Sequence, residues 1–169
     1  MKKDFVLPIL SLTLICLAIT GALVLVNNVT LPIITEAAVE RAENARRDII
    51  PHAVDFVLVE DERLPGSIIE AYTTNGEGYI FIVAVRGYGG EMRVIIGVNP
   101  DGSIISSSVL AHSETVGLGT IIFEISDYHE AGGGSLLDVD AVAGSTITLH
   151  AYQRTLSDAL AAFEIIRGA

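Results

Sequence analysis

The chain has one cysteine, Cys16, so no intramolecular disulfide can form and cysteine usage says nothing about redox compartment. Basic residues are scarce: 10 Lys and Arg stand against 21 Asp and Glu, for a formal net charge of -11. Binding to nucleic acid or to an anionic membrane surface needs clustered basic side chains, and no such cluster is present. Charge is missing altogether from Phe5 to Val26, a run of 22 residues. At about 1.5 Å per residue that run covers a hydrocarbon core of about 30 Å. The signals for cleaving or lipidating it are lacking too. It exceeds the roughly 7 to 15 apolar residues of a signal peptide, and no Ala-x-Ala-like site follows closely. Ile15 stands before Cys16, where a lipoprotein signal carries a small residue. Cys16 is then a packing residue inside a transmembrane helix.

What is there divides in order. Residues 1–4 form a short N-terminus whose Lys2 and Lys3 are the only basic residues before the span at 5–26. The positive-inside bias places that end in the cytoplasm and the remainder outside the cell membrane. Removing Lys2, Lys3 and Asp4 leaves 8 basic and 20 acidic residues, a net charge of about -12 on the outer part. Residues 27–51 read as a juxtamembrane helix with a solvated charged face, ended by Pro51. Residues 52–169 are one domain's worth of chain.

Within that domain the apolar period changes from helix to strand. Ile68 to Thr73, Gly78 to Arg86, Met92 to Val98 and Ile104 to Ala111 read as four short β-strands. Asn75-Gly76 and Asn99-Pro100-Asp101-Gly102 join successive runs with tight-turn residues. Parallel strands would need crossovers of a dozen residues or more, so the sheet is antiparallel. From Leu149 the apolar residues Leu149, Tyr152, Leu156, Ala159, Leu160, Phe163 and Ile166 fall on one helical face, with Thr148 as a candidate N-cap. Helices before and after a sheet make the class α+β.

The stretch Asp140-Ala141-Val142-Ala143-Gly144-Ser145-Thr146 sits just ahead of that last helix. Spacing alone reads it as a turn followed by an N-cap. It also sets a hydroxyl beside the unpaired N–H groups and positive dipole end of a helix, where an anion such as a phosphate is favoured.

The segment Val139 to Thr148 resembles the flavinylation motif of the FMN-binding family that contains the G subunit of the Rnf electron transport complex and the C subunit of the sodium-pumping quinone reductase. Ala71-Tyr72, Gly87-Tyr88-Gly89-Gly90, Ile96-Gly97-Val98 with Asp101-Gly102, and His112 to Gly119 follow in the order found in that family. Ala143 stands where the family usually has Ser or Thr, Ser145 where Ala is usual, and Val116 in place of a proline. The resemblance implies that Thr146 carries FMN through a phosphoester, within a motif opened by Asp140 and closed by Gly144 and Ser145. It further implies that Glu114, Thr115, Gly117, Leu118 and Gly119 neighbour the flavin, the two glycines by letting a ring approach the backbone. The implied partners are a flavin transferase, which uses FAD and a divalent metal, and the other membrane subunits of an Rnf-type complex. The implied role is electron relay coupled to ion movement.

Other readings have their own marks. Without a flavin, the same fold would be a non-redox extracytoplasmic binding or assembly module; with one, it could equally serve an extracellular reductase system. The glycines Gly87, Gly89 and Gly90 could simply turn the chain at the end of a buried strand, and Gly132-Gly133-Gly134 reads as a flexible connector. His112, Glu114, His129 and His150 are of metal-ligand type but match no metal-site spacing, so they read as loop residues. A serine hydrolase is excluded because Gly144-Ser145-Thr146 lacks the Gly-x-Ser-x-Gly elbow.

Overall fold

The computed structural model describes the backbone of residues 2–53, 55–128 and 136–168, and their side chains other than those of 2–5, 126–128 and 138. His129 and the Gly132-Gly133-Gly134 connector lie outside them. Residues up to Glu40 and residues from Arg41 onward form two compact units.

The first unit is helical. Helix α1 runs Lys2–Ile49, so the two helices expected on either side of Val26 are a single element. Pro8 and Pro32 lie inside it; spanning helices tolerate interior proline better than soluble ones do. Every residue from 6 to 36 is exposed, although a window of this stretch reaches a mean hydropathy of 2.7. A helix this long and apolar is able to cross a membrane, and one that turns apolar side chains outward all round suits lipid rather than water.

The second unit holds a five-stranded antiparallel sheet in sequential order: β1 (Val57–Leu58), β2 (Ile68–Thr73), β3 (Tyr79–Arg86), β4 (Glu91–Val98) and β5 (Ile104–Ala111). Four of these are the strands the sequence predicts, to within a residue at each end. Hairpin geometry explains the match: Gly76 and Gly102 adopt φ of +92° and +93°, left-handed conformations that favour glycine, at the two turns marked by Asn-Gly and Asp-Gly. Strand β1 has two residues, Val57 paired with Thr73 and Leu58 with Tyr72, too few to leave a periodic signal.

Successive side chains of a strand point to opposite faces. In β3, Phe81 and Val83 face one way and Ile80 and Ile82 the other, and all four are buried. Both faces of the sheet are therefore covered, and β3 reads as an unbroken apolar run. On one side lie α3 (Thr146–Arg167) and α2 (Ile121–Tyr128), which bury Leu149, Tyr152, Leu156, Ala159 and Phe163 with Ile122 against Phe81, Met92, Val94 and Ile96. Each such side chain contributes about 1.5–3 kcal/mol on burial. On the other side Ile49 and Ile50 pack with Ile80, Ile82 and Ile95. Gly97 makes room there, since a β-carbon at that position would collide with Ile49 Cγ2. The core of the second unit thus begins upstream of residue 52, the boundary that composition suggests.

Arg46 adds a polar edge to the same face. Its guanidinium stacks 4.5 Å from the centre of the Tyr72 ring and lies 3.7 Å from a carboxylate oxygen of Glu70, to which the Tyr72 hydroxyl donates at 2.7 Å.

Candidate functional site

Helix α3 starts earlier than its apolar stripe suggests. Thr146 is its first residue and Ser145 its N-cap, but Ser145 makes no side-chain cap. Thr148, the residue whose type suggests a cap, is instead buried inside the first turn, and its hydroxyl donates 2.9 Å to Glu114 Oε2. The sequence cannot reveal this, because the acceptor that takes the hydroxyl away from capping lies 34 residues upstream.

Gly144, with φ of +80°, turns the chain into α3. A β-carbon there would lie 3.1 Å from Leu118 Cδ1, so the glycine also lets the 115–119 loop close on the helix start. The buried Ser145 hydroxyl donates to the Leu118 carbonyl and ties the two together. The loop winds around one acceptor: the Thr115 carbonyl receives the N–H groups of Leu118 at 3.2 Å and Gly119 at 2.9 Å. Behind the helix start, the Gln153 side chain donates to the carbonyls of Leu136 and Val139 at 3.0 and 2.7 Å, fixing the segment that leads to Asp140.

These elements enclose a pocket of about 320 Å³ lined by Tyr88, Glu114, Thr115, Leu118, Gly119, Gly144, Ser145, Thr146, Ile147 and Thr148. Thr146 is half-buried on its wall, with its hydroxyl donating 3.1 Å to the Val142 carbonyl. Tyr88, Leu118 and Ile147 are exposed apolar side chains at the rim. Seven of the nine residues that the family resemblance singles out thus meet in one place. Asp140 and Gly117 do not line the pocket; Asp140 is exposed, and Gly117 holds a φ of +77° with open space where a β-carbon would go. Tyr88, Ile147 and Thr148 line it without having been singled out as site residues. The sequence signal for Tyr88 is its place in the Gly87-Tyr88-Gly89-Gly90 motif.

Gly87, Gly89 and Gly119 also pack closely against the 113–114 segment. Glu114 is 6% exposed, and its Oε1 accepts the Gly89 N–H at 3.1 Å. A β-carbon on Gly119 would stand 2.6 Å from Glu114 Oε2, one on Gly87 would collide with Oε1, and one on Gly89 with the Ser113 carbonyl. Room for the Ser113-Glu114 segment is what these positions provide. Among the described residues no group of three or more His, Cys, Asp and Glu side chains converges as a metal site. Glu114 is bound to Thr148 and Gly89, while His112 accepts the Glu114 N–H at 3.2 Å and packs its ring 4.9 Å from Phe123.

Residues 87–161 match the FMN-binding domain family, a stretch that contains every residue lining the pocket. Across most of its length the chain is similar to the G subunit of the Na(+)-translocating ferredoxin:NAD(+) oxidoreductase complex of Acetobacterium woodii, 27% identical over 161 residues, covering 86% of this chain and 75% of that one. It is 29% identical to the G subunit of the ion-translocating oxidoreductase complex of Shewanella piezotolerans, covering 90% and 86% of the two chains. The corresponding protein of Stutzerimonas stutzeri is 32% identical over 120 residues, covering 64% of this chain and 52% of its own. Residues 87–161 thus match the FMN-binding domain family, and most of the chain is similar to the G subunits of ion-translocating oxidoreductase complexes.

Proposed function

We propose that this protein is a membrane-anchored electron-transport subunit whose FMN is joined to Thr146 through a phosphoester and relays electrons within an ion-translocating oxidoreductase complex. The relatives drawn from such complexes support the assembly, and the FMN-binding family supports the cofactor. The observation that carries the attachment is the position of Thr146: first residue of a 22-residue helix, half-buried, on the wall of a pocket.

The residues present suit the group. A volume of about 320 Å³ lies at the small end of the range of about 300–1,000 Å³ for ligand pockets. Such a size suits a flat ring system held at a rim. Apolar Tyr88, Leu118 and Ile147 offer surface to the ring, and the first turn of α3 offers its uncapped N–H groups to a phosphate. FMN, when bound, supplies exchange of electrons one at a time, and the protein's share is to hold, orient and tune it. Ser145 ties the Leu118 wall to the start of the helix that carries Thr146.

A threonine hydroxyl is a weak nucleophile at neutral pH, so attachment requires a flavin transferase acting on FAD. In that attachment Thr146 would supply the oxygen of the new phosphoester through Oγ1, AMP would be the group released from FAD, and the hydroxyl proton would be lost to solvent. No electrons change hands in this step. The ester keeps the cofactor on a domain that lies outside the cytoplasm, with Lys2 and Lys3 inside. Partners are the other membrane subunits of the complex.

Full-length protein produced with a flavin transferase should give a flavin-fluorescent band on a denaturing gel. A colourless band would favour the non-redox binding module.

A further inference from the structure

We propose that Glu114 acts as a fixed negative charge that lowers the reduction potential of the flavin. The inference rests on the FMN reading above and concerns what one wall of that pocket does once the cofactor is there.

Four observations converge on this carboxylate. It lines the pocket that Thr146 lines, while remaining 6% exposed. Both of its oxygens are already engaged, Oε1 by the Gly89 N–H at 3.1 Å and Oε2 by the Thr148 hydroxyl at 2.9 Å. Each oxygen thus has one donor that fixes its orientation, which uses two of about four acceptor sites. Backbone also blocks its exit: Gly87 and Gly119 hug it so closely that a β-carbon on either would overlap the carboxyl. Among the described residues no arginine pairs with it, since the ion pairs there join Arg46 to Glu70, Arg47 to Glu43, Arg63 to Asp61, Arg93 to Glu91 and Arg154 to Asp158.

Two neutral donors orient this carboxylate, and a negative charge shielded from water acts at longer range than a solvated one. Each electron that enters the flavin adds negative charge beside it, so the reduced cofactor is disfavoured and becomes a stronger electron donor. Glu114 is on this reading a tuning residue: it sets the field without touching the reacting atoms.

The test is a spectroelectrochemical titration of full-length protein made with a flavin transferase, comparing wild type, Glu114→Gln and Thr148→Val. Glu114→Gln keeps the shape, with the amide oxygen facing Gly89 and the amide nitrogen donating to Thr148. It should raise the potential by a tenfold change or more in the one-electron equilibrium, about 59 mV. Thr148→Val keeps the charge and removes one of its donors, so it should shift the potential downward. A Glu114→Gln potential equal to wild type, whatever its melting temperature, overturns the proposal and leaves Glu114 a packing residue. Should that variant not fold, an unchanged or raised potential in Thr148→Val does the same. Wild-type protein without flavin overturns the FMN reading and this inference together, an outcome distinct from a loaded protein whose potential ignores Glu114.

Discussion

The hydroxyl of Ser145 is bonded to the carbonyl of Leu118, joining the residue just ahead of α3 to a loop 27 residues upstream. This pair closes one side of the pocket, and it uses Ser145, one of the residues by which the chain departs from the family it resembles, where alanine is usual. Ser145→Ala leaves the Leu118 carbonyl without that donor and should cost about 0.5–1.5 kcal/mol. The full-length protein should melt a few degrees lower, with FMN attachment retained because alanine fits the backbone there. A melting temperature equal to wild type would mean that the pair holds nothing.

Gly117 and Gly119 sit in one loop and should respond differently to alanine. At Gly119 the new β-carbon would meet Glu114 Oε2 at 2.6 Å and Glu114 Cβ at 2.8 Å, so the carboxyl must leave its bonds to Gly89 and Thr148. Separating the buried Thr148 hydroxyl from the buried carboxyl costs about 1–3 kcal/mol. At Gly117 space is open and only the φ of +77° resists, a strain of about 1 kcal/mol. Chemical denaturation of the two variants should rank Gly119→Ala as the less stable; the reverse order would contradict the role given to Glu114.

Tyr72 provides a pH signature away from the pocket. Burial raises its pKa above the ordinary 10.0, the hydrogen bond to Glu70 adds to this, and Arg46 opposes it. A phenol whose folded pKa is raised stabilises the fold fully below the unfolded value of about 10, and this stability is lost as pH rises through the folded pKa. Ultraviolet titration should place Tyr72 among the late-ionising phenols, with unfolding favoured above pH 10. In Tyr72→Phe the late step should lose the amplitude of one phenol. An unchanged late amplitude would contradict the raised pKa of Tyr72.

Legibility in the sequence followed the range of the interactions. Strands β2 to β5 were readable because hydrophobic runs and Asn-Gly or Asp-Gly turns are local. The apolar stripe of α3 was readable for the same reason, although its start was not: Thr148 is a cap by type and a partner of Glu114 by tertiary structure. Helix α2 escaped notice because eight residues beginning Ile121-Ile122-Phe123 carry strand-forming side chains and span barely two turns. At the site, family motifs brought out seven of the lining residues, including Thr146. They did not disclose that Gly87 and Gly119 pack against the Glu114 carboxyl, because that depends on how two distant loops are packed.

The attachment itself is tested most directly by intact mass. Full-length protein made with a flavin transferase should be heavier than its sequence by FMN less one water, and Thr146→Ala should show the bare sequence mass. An FMN increment that survives in Thr146→Ala, or one absent from both proteins, would contradict a cofactor tethered to that hydroxyl.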